Sequence, residues 1–208
     1  MSETAPPAGG KLAGDPRWEA WSPAQAAQRL VGVRVPWYVA GGWALDIFRG
    51  PQTRVHDDLE IAVPAAGFPA IRTALDDLDF DVAGAGRLWP EDSPAFDVMH
   101  QTWGRDRGTD TYRLDVFREP HDGDIWICRR DDGIRLPYDT LILQSDDGIP
   151  YLAPEVALLF KAKGSRPKDL ADFAGVLPLL TQRRRAWLAG ALRAVHPGHP
   201  WLAALSRS

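Results

Sequence analysis

Apolar and polar positions divide this chain of 208 residues into a mixed front part and a helical back part. Ser22-Pro23 reads as an N-cap followed by a first-turn proline, which predicts a helix to about Leu30. Residues 35–40 predict a short buried strand cut off by Gly41-Gly42. Residues 43–48 predict a helical turn or two, stopped by Gly50. Polar and apolar residues alternate over 56–63, the pattern of a half-buried strand. Ile71, Leu75 and Leu78 fall at helical spacing and predict an amphipathic helix over 69–78. Strand-like pieces and turns dominate 80–152, with strands expected at 112–117, 124–128 and 140–144. Beyond Pro154 the pattern turns helical over 155–163, 168–177 and 183–195. The expected division is a flexible tail over 1–15, an α/β (α+β) domain over 16–150 and a helical part over 151–208.

Composition narrows the function classes. With 45% hydrophobic residues the chain can bury a sizeable core, and no stretch is long and apolar enough to cross a bilayer. The first residues lack the apolar middle of a secretory signal. The solitary Cys128 cannot form an internal disulfide, which fits a reducing cytoplasm. A net charge of −4 without a long basic run argues against tracking a nucleic-acid backbone. The acidic pairs Asp57-Asp58, Asp76-Asp77, Asp131-Asp132 and Asp146-Asp147 suit solvated loops and a cationic or neutral small acceptor.

Candidate chemistry gathers on a few positions. Residues two apart on a strand share a face, so Asp58 and Glu60 stand side by side with His56, while Leu59, Ile61 and Val63 face the core. Adjacent carboxylates repel unless a cation sits between them, and Mg²⁺ is the hard divalent ion that oxygen ligands of this kind hold. Asp115 lies in the second strand-like run, between Leu114 and Val116. Beside the first strand it becomes a third carboxylate, enough for a pair of metal ions around a phosphate. Gly41-Gly42, between a strand and a helix, allows unusual backbone angles and close approach of an anion to the helix start.

The segments Gly41-Gly-Trp-Ala-Leu-Asp46 and Arg54-Val-His-Asp-Asp-Leu-Glu-Ile61 resemble the core motif of the antibiotic nucleotidyltransferases. These are the lincosamide and aminoglycoside adenylyltransferases, within the wider DNA polymerase β-like superfamily. The resemblance covers residues 35–118 and reaches the segment 161–173. It implies a polymerase β-like core with a mixed sheet, followed by a helical C-terminal part. It further implies that Gly41 and Gly42 contact the triphosphate of ATP or another nucleotide, that Asp58 and Glu60 hold Mg²⁺, and that Asp115 is a third ligand or the general base. Glu60 departs from the Asp usual at its position.

Supporting residues carry two readings each. Lys161, Lys163, Arg166 and Lys168 cluster at a helix–helix junction, either to neutralise phosphates or as cations at a helix C-terminus. Asp169 and Asp172 are expected to orient that cluster as ion-pair partners. Arg54 and His56 either bind phosphate or serve structure. Arg113 lies on the same strand face as Asp115 and could pair with it. The tryptophans are core material, with Trp89 and Trp103 the two that could instead stack on a ligand ring. The resulting expectation is a cytoplasmic, metal-dependent enzyme moving AMP or another nucleoside monophosphate onto a hydroxyl of a small molecule such as an aminoglycoside or lincosamide. The competing readings are a nucleotidyltransferase-fold antitoxin acting with a partner protein, and a nucleotide-binding module without catalysis.

Overall fold

A computed structural model describes residues 6–164 and 166–206, so residues 1–5 of the expected tail lie outside it. The chain forms two compact units, Met1–Val39 with His56–His121, and Ala40–Val55 with Asp122–Ser208. The division therefore does not fall near residue 150. The Gly41-Gly42 segment joins the back half because the helix it opens packs on the helices Pro154–Lys161 and Pro167–Val176.

The first unit is a mixed sheet with helices on one face. Its strands are β1 (Lys11–Leu12), β2 (Tyr38–Val39), β3 (Glu60–Pro64), β4 (Leu78–Gly84), β5 (Arg87–Pro90), β6 (Gln101–Asp106) and β7 (Thr111–Glu119). They lie in the order β1-β5-β4-β6-β7-β3-β2, antiparallel except for the parallel pair β3 and β7. Lys11–Leu12 pairs with Arg87–Leu88, so part of the segment read as a tail is strand. The unit's helices are α1 (Pro23–Arg29), α3 (Phe68–Ala74) and α4 (Ala95–Val98), while α2 (Gly41–Arg49) belongs to the other unit. Ser22 caps α1 in a full capping box with Gln25.

Alternation places Ile61, Leu78, Phe80, Leu114 and Val116 on the helix-covered face, where Phe68 of α3 meets Phe80 edge-on at 5.3 Å. Gly104 completes this core: a Cβ there would stand 2.8 Å from Leu114 and 2.9 Å from Leu78. Arg118 runs through the same layer, donating to Thr102 Oγ1 and to the Phe96 and Met99 carbonyls with its guanidinium 3.7 Å over Phe96. Burial pushes its pKa down to about 10.

Several expected elements shorten, three of them in the segments around the carboxylate-bearing strands. Pro36 has no N–H to give a ladder, so the strand expected over 35–40 is only Tyr38–Val39. The helix expected over 69–78 ends at Ala74, because Leu78 opens β4. The strand expected from His56 begins at Glu60.

The second unit is mainly helical, with α5 (Tyr138–Leu141), α6 (Pro154–Lys161), α7 (Pro167–Val176), α8 (Gln182–Val195) and α9 (Trp201–Leu205) beside α2. Helix α6 is buried over nearly its whole surface and forms the unit's centre. Short antiparallel pairs, Ile125–Ile127 with Arg135–Pro137 and Ile142–Gln144 with Pro150–Leu152, flank α5. No helix among the described residues is long and apolar enough to cross a membrane.

Candidate active site

The face of the first unit's sheet away from its helices carries the carboxylates. Parallel register sets Glu60 opposite Asp115, and antiparallel register sets Asp115 opposite Trp103 and Trp103 opposite Asp81. One row across four strands therefore reads Asp81, Trp103, Asp115, Glu60. The structure brings Glu60 and Asp115 together. Asp58 lies in the exposed segment before β3, not on the strand, because pairing with β7 reaches only to the Asp115 N–H donating to the Leu59 carbonyl at 2.8 Å. Its charge is still felt at Asp115. His56 stands in the same segment, partly exposed.

The two aspartates of the row differ in how their charge is met. Asp81 Oδ2 accepts from Tyr112 Oη at 2.8 Å and from Arg105 Nε at 3.2 Å, so a cation balances it. Asp115 is only 3% exposed, and its Oδ2 accepts from a neutral amide, Gln101 Nε2, at 2.7 Å. Its Oδ1 is buried with no hydrogen-bond partner. The Trp103 indole N–H approaches the same carboxyl without completing a hydrogen bond. Burial, then the charge of Glu60, hold the Asp115 carboxyl well above the usual carboxylate range, against the pull of the Gln101 hydrogen bond. Arg113, expected beside Asp115, instead pairs with Glu19 at 2.9 Å and Asp106 at 3.1 Å.

Among the described residues no three His, Cys, Asp or Glu side chains converge closely enough to make a ready metal cluster. The donor chemistry nonetheless fits a hard divalent cation. A buried carboxylate oxygen lacks a partner, a second carboxylate faces it from the neighbouring strand, and a third lies at the exposed rim. A cavity of about 650 Å³ elsewhere in this unit, lined by Arg72, Asp76, Asp79, Glu91 and Phe96 among others, includes none of the three.

In the second unit, Gly41 and Gly42 open α2. Gly41 has φ +60°, the left-handed region that glycine adopts freely, and no side chain caps the first turn at Ala40. Asp46, buried at 2% exposure, accepts from the Thr53 N–H at 3.1 Å and from Thr53 Oγ1 at 2.6 Å, pinning the loop after α2. Lys161 meets the two aspartates expected to pair with its cluster. Its Nζ lies 2.8 Å from Asp172 and 3.4 Å from Asp169, all three buried. Arg54 reaches Asp172 at 3.8 Å, and Arg166 Nε donates to Asp169 at 2.8 Å. Burial opposes the ionisation of Asp169, but Arg166 and Lys161 outweigh it and hold the carboxyl below its usual range. Lys163 and Lys168 are exposed. Trp89 is core, whereas Trp103 is partly exposed on the carboxylate face. Sequence reasoning passed over Gln101, since a lone glutamine in a strand carries no signal until register shows which carboxylate it meets.

Residues 24–87 match the family of aminoglycoside-2''-adenylyltransferase. The fold is similar to the lincosamide antibiotic adenylyltransferase LnuA with lincomycin bound, at a TM-score of 0.53 and 18% identity over 76% of this chain and 95% of that one. It is similar also to ANT(2'')-Ia in complex with adenylyl-2''-tobramycin, at a TM-score of 0.54 and 14% identity over 83% of this chain and 94% of that one. No curated protein matches this chain in sequence. At these identities the likeness to the solved structures is one of fold, and the mixed sheet with helices is the nucleotidyltransferase architecture expected from the motif.

Proposed function

We propose that this antibiotic nucleotidyltransferase-like chain transfers a nucleoside monophosphate, AMP in the first instance, from a nucleotide triphosphate to a hydroxyl of a small molecule. The observation that carries the reading is the pair Glu60 and Asp115 in register on neighbouring strands, with one buried oxygen of Asp115 lacking a partner. Asp58, Glu60 and Asp115 are the residues that would hold Mg²⁺, one ion or two. When bound, the metal supplies positive charge against the developing charge on the phosphates.

The chain's own residues then have distinct tasks. Asp115, held by Gln101, presents a fixed oxygen at the buried end of the site, and Glu60 and Asp58 extend the carboxylate surface toward solvent. The acceptor hydroxyl forms a bond to the α-phosphorus, the bond from that phosphorus to the bridging oxygen breaks, and pyrophosphate leaves. The hydroxyl proton passes to a carboxylate or to solvent. Positioning and charge supply most of the acceleration in this class of step. The uncapped start of α2, with Gly41 in a left-handed conformation, has the local geometry of a triphosphate cradle. Lys163 and Lys168, both exposed, are cations suited to the outer phosphates.

LnuA was solved with lincomycin and ANT(2'')-Ia with an adenylylated tobramycin, so lincosamides and aminoglycosides are the first acceptors to try. Incubation with ATP, Mg²⁺ and a panel of both classes should release pyrophosphate and add the mass of one AMP to an acceptor, and Asp115→Asn should abolish both. Absence of pyrophosphate with every acceptor and every common nucleotide would reject the transferase reading.

A further inference from the structure

We infer that Gln101 is a positioning residue, which fixes the Asp115 carboxyl so that its second oxygen faces a divalent cation. The inference rests on the proposed metal-binding role of Asp115. The geometry is specific. Gln101 sits on β6, one strand over from Asp115, on the same sheet face and two residues before Trp103, the register partner of Asp115. Its Nε2 donates to Oδ2 at 2.7 Å, while Oδ1 stays buried without a hydrogen bond.

A carboxyl turns about its terminal torsion with little preference, so one oxygen held by a donor decides where the other points. Gln101 supplies that hold without charge. A lysine or arginine in its place would neutralise Asp115 and compete with a cation, as Arg105 does at Asp81 in the same row. A neutral amide instead satisfies one oxygen and leaves the full negative charge for the ion. Outer partners of ligating carboxylates act in this way, and their loss weakens metal binding about 10- to 100-fold.

The test is Mn²⁺ binding to the full chain, followed by electron paramagnetic resonance without nucleotide or acceptor. Wild type, Asp115→Asn, Gln101→Met and Gln101→Asn are compared. Methionine keeps the shape and removes the donor, and asparagine keeps the amide but falls one methylene short. The expected result is strong Mn²⁺ binding by wild type, its loss in Asp115→Asn, and about a 10-fold or greater weakening in both Gln101 variants. Turnover should fall in kcat with nucleotide KM little changed. If wild type and Asp115→Asn behave as expected but both Gln101 variants bind Mn²⁺ at wild-type strength, the positioning role is wrong and the metal site stands. If wild type binds no Mn²⁺, the metal site and the role of Gln101 fall together. Should Gln101→Met not fold, Gln101→Asn decides alone.

Discussion

Lys161→Met separates a structural lysine from a phosphate ligand. Lys161 Nζ lies 2.8 Å from Asp172 and 3.4 Å from Asp169, with side-chain exposures of 9%, 4% and 0%. Removing the ammonium leaves Asp172 with Arg54 at 3.8 Å and Asp169 with Arg166 at 2.8 Å. Breaking a buried pair from one side costs about 3–5 kcal/mol, because a carboxylate stays buried without its partner. In a chain of this size each kcal/mol moves the melting temperature by roughly 2–4 °C, so calorimetry should find a fall of roughly 6–20 °C. A solvated lysine that waits for phosphate would cost no more than about 0.5 kcal/mol. Adding Asp172→Asn should return a large part of the loss, since the stranded charge goes with it. A melting temperature within about 1 °C of wild type, with ATP binding abolished, would refute this reasoning and restore the phosphate role.

Three further outcomes follow from the same geometry. Asp115→Asn should stabilise the protein at neutral pH. A carboxyl held above its unfolded value supports folding fully below the unfolded pKa, near 4, and loses that support as pH rises through the folded value, at about 1.4 kcal/mol for each tenfold change. The melting temperature of the variant should therefore exceed wild type at pH 7 and match it below about pH 4; a pH-independent difference would count against the assignment. Gly41→Ala must place a Cβ at φ +60°, so it should cost about 1–2 kcal/mol and weaken ATP in calorimetry, whereas unchanged ATP affinity would remove α2 from the triphosphate site. Asp46→Ala should lose about 1–3 kcal/mol, read as a lowered denaturation midpoint, because Thr53 forfeits both its partners.

The placing of two carboxylates on neighbouring strands is legible in the sequence, because residue type and short spacing carry it. Leu59-Glu-Ile61 and Leu114-Asp-Val116 announce carboxylates on strands, and parallel register sets Glu60 opposite Asp115. Gly50 ends α2 as the pattern suggested. What escaped depends on long-range pairing. The alternation through His56 and Asp58 looks like strand, yet the ladder reaches only to Leu59, so Asp58 sits at the rim. Ile71, Leu75 and Leu78 all turn inward, which helical spacing explains equally well whether Leu78 ends a helix or opens a strand. The acidic partners of the basic cluster are legible by contrast: Asp169 and Asp172, expected to pair with it, both meet Lys161.

The most direct test of the central claim is calorimetric titration of ATP, with Mg²⁺ and then with EDTA, into wild type and Asp58→Asn of equal circular dichroism. Binding that requires Mg²⁺ and collapses in the variant is the predicted result. Equal binding by both proteins, or no binding of ATP under either condition, would contradict it.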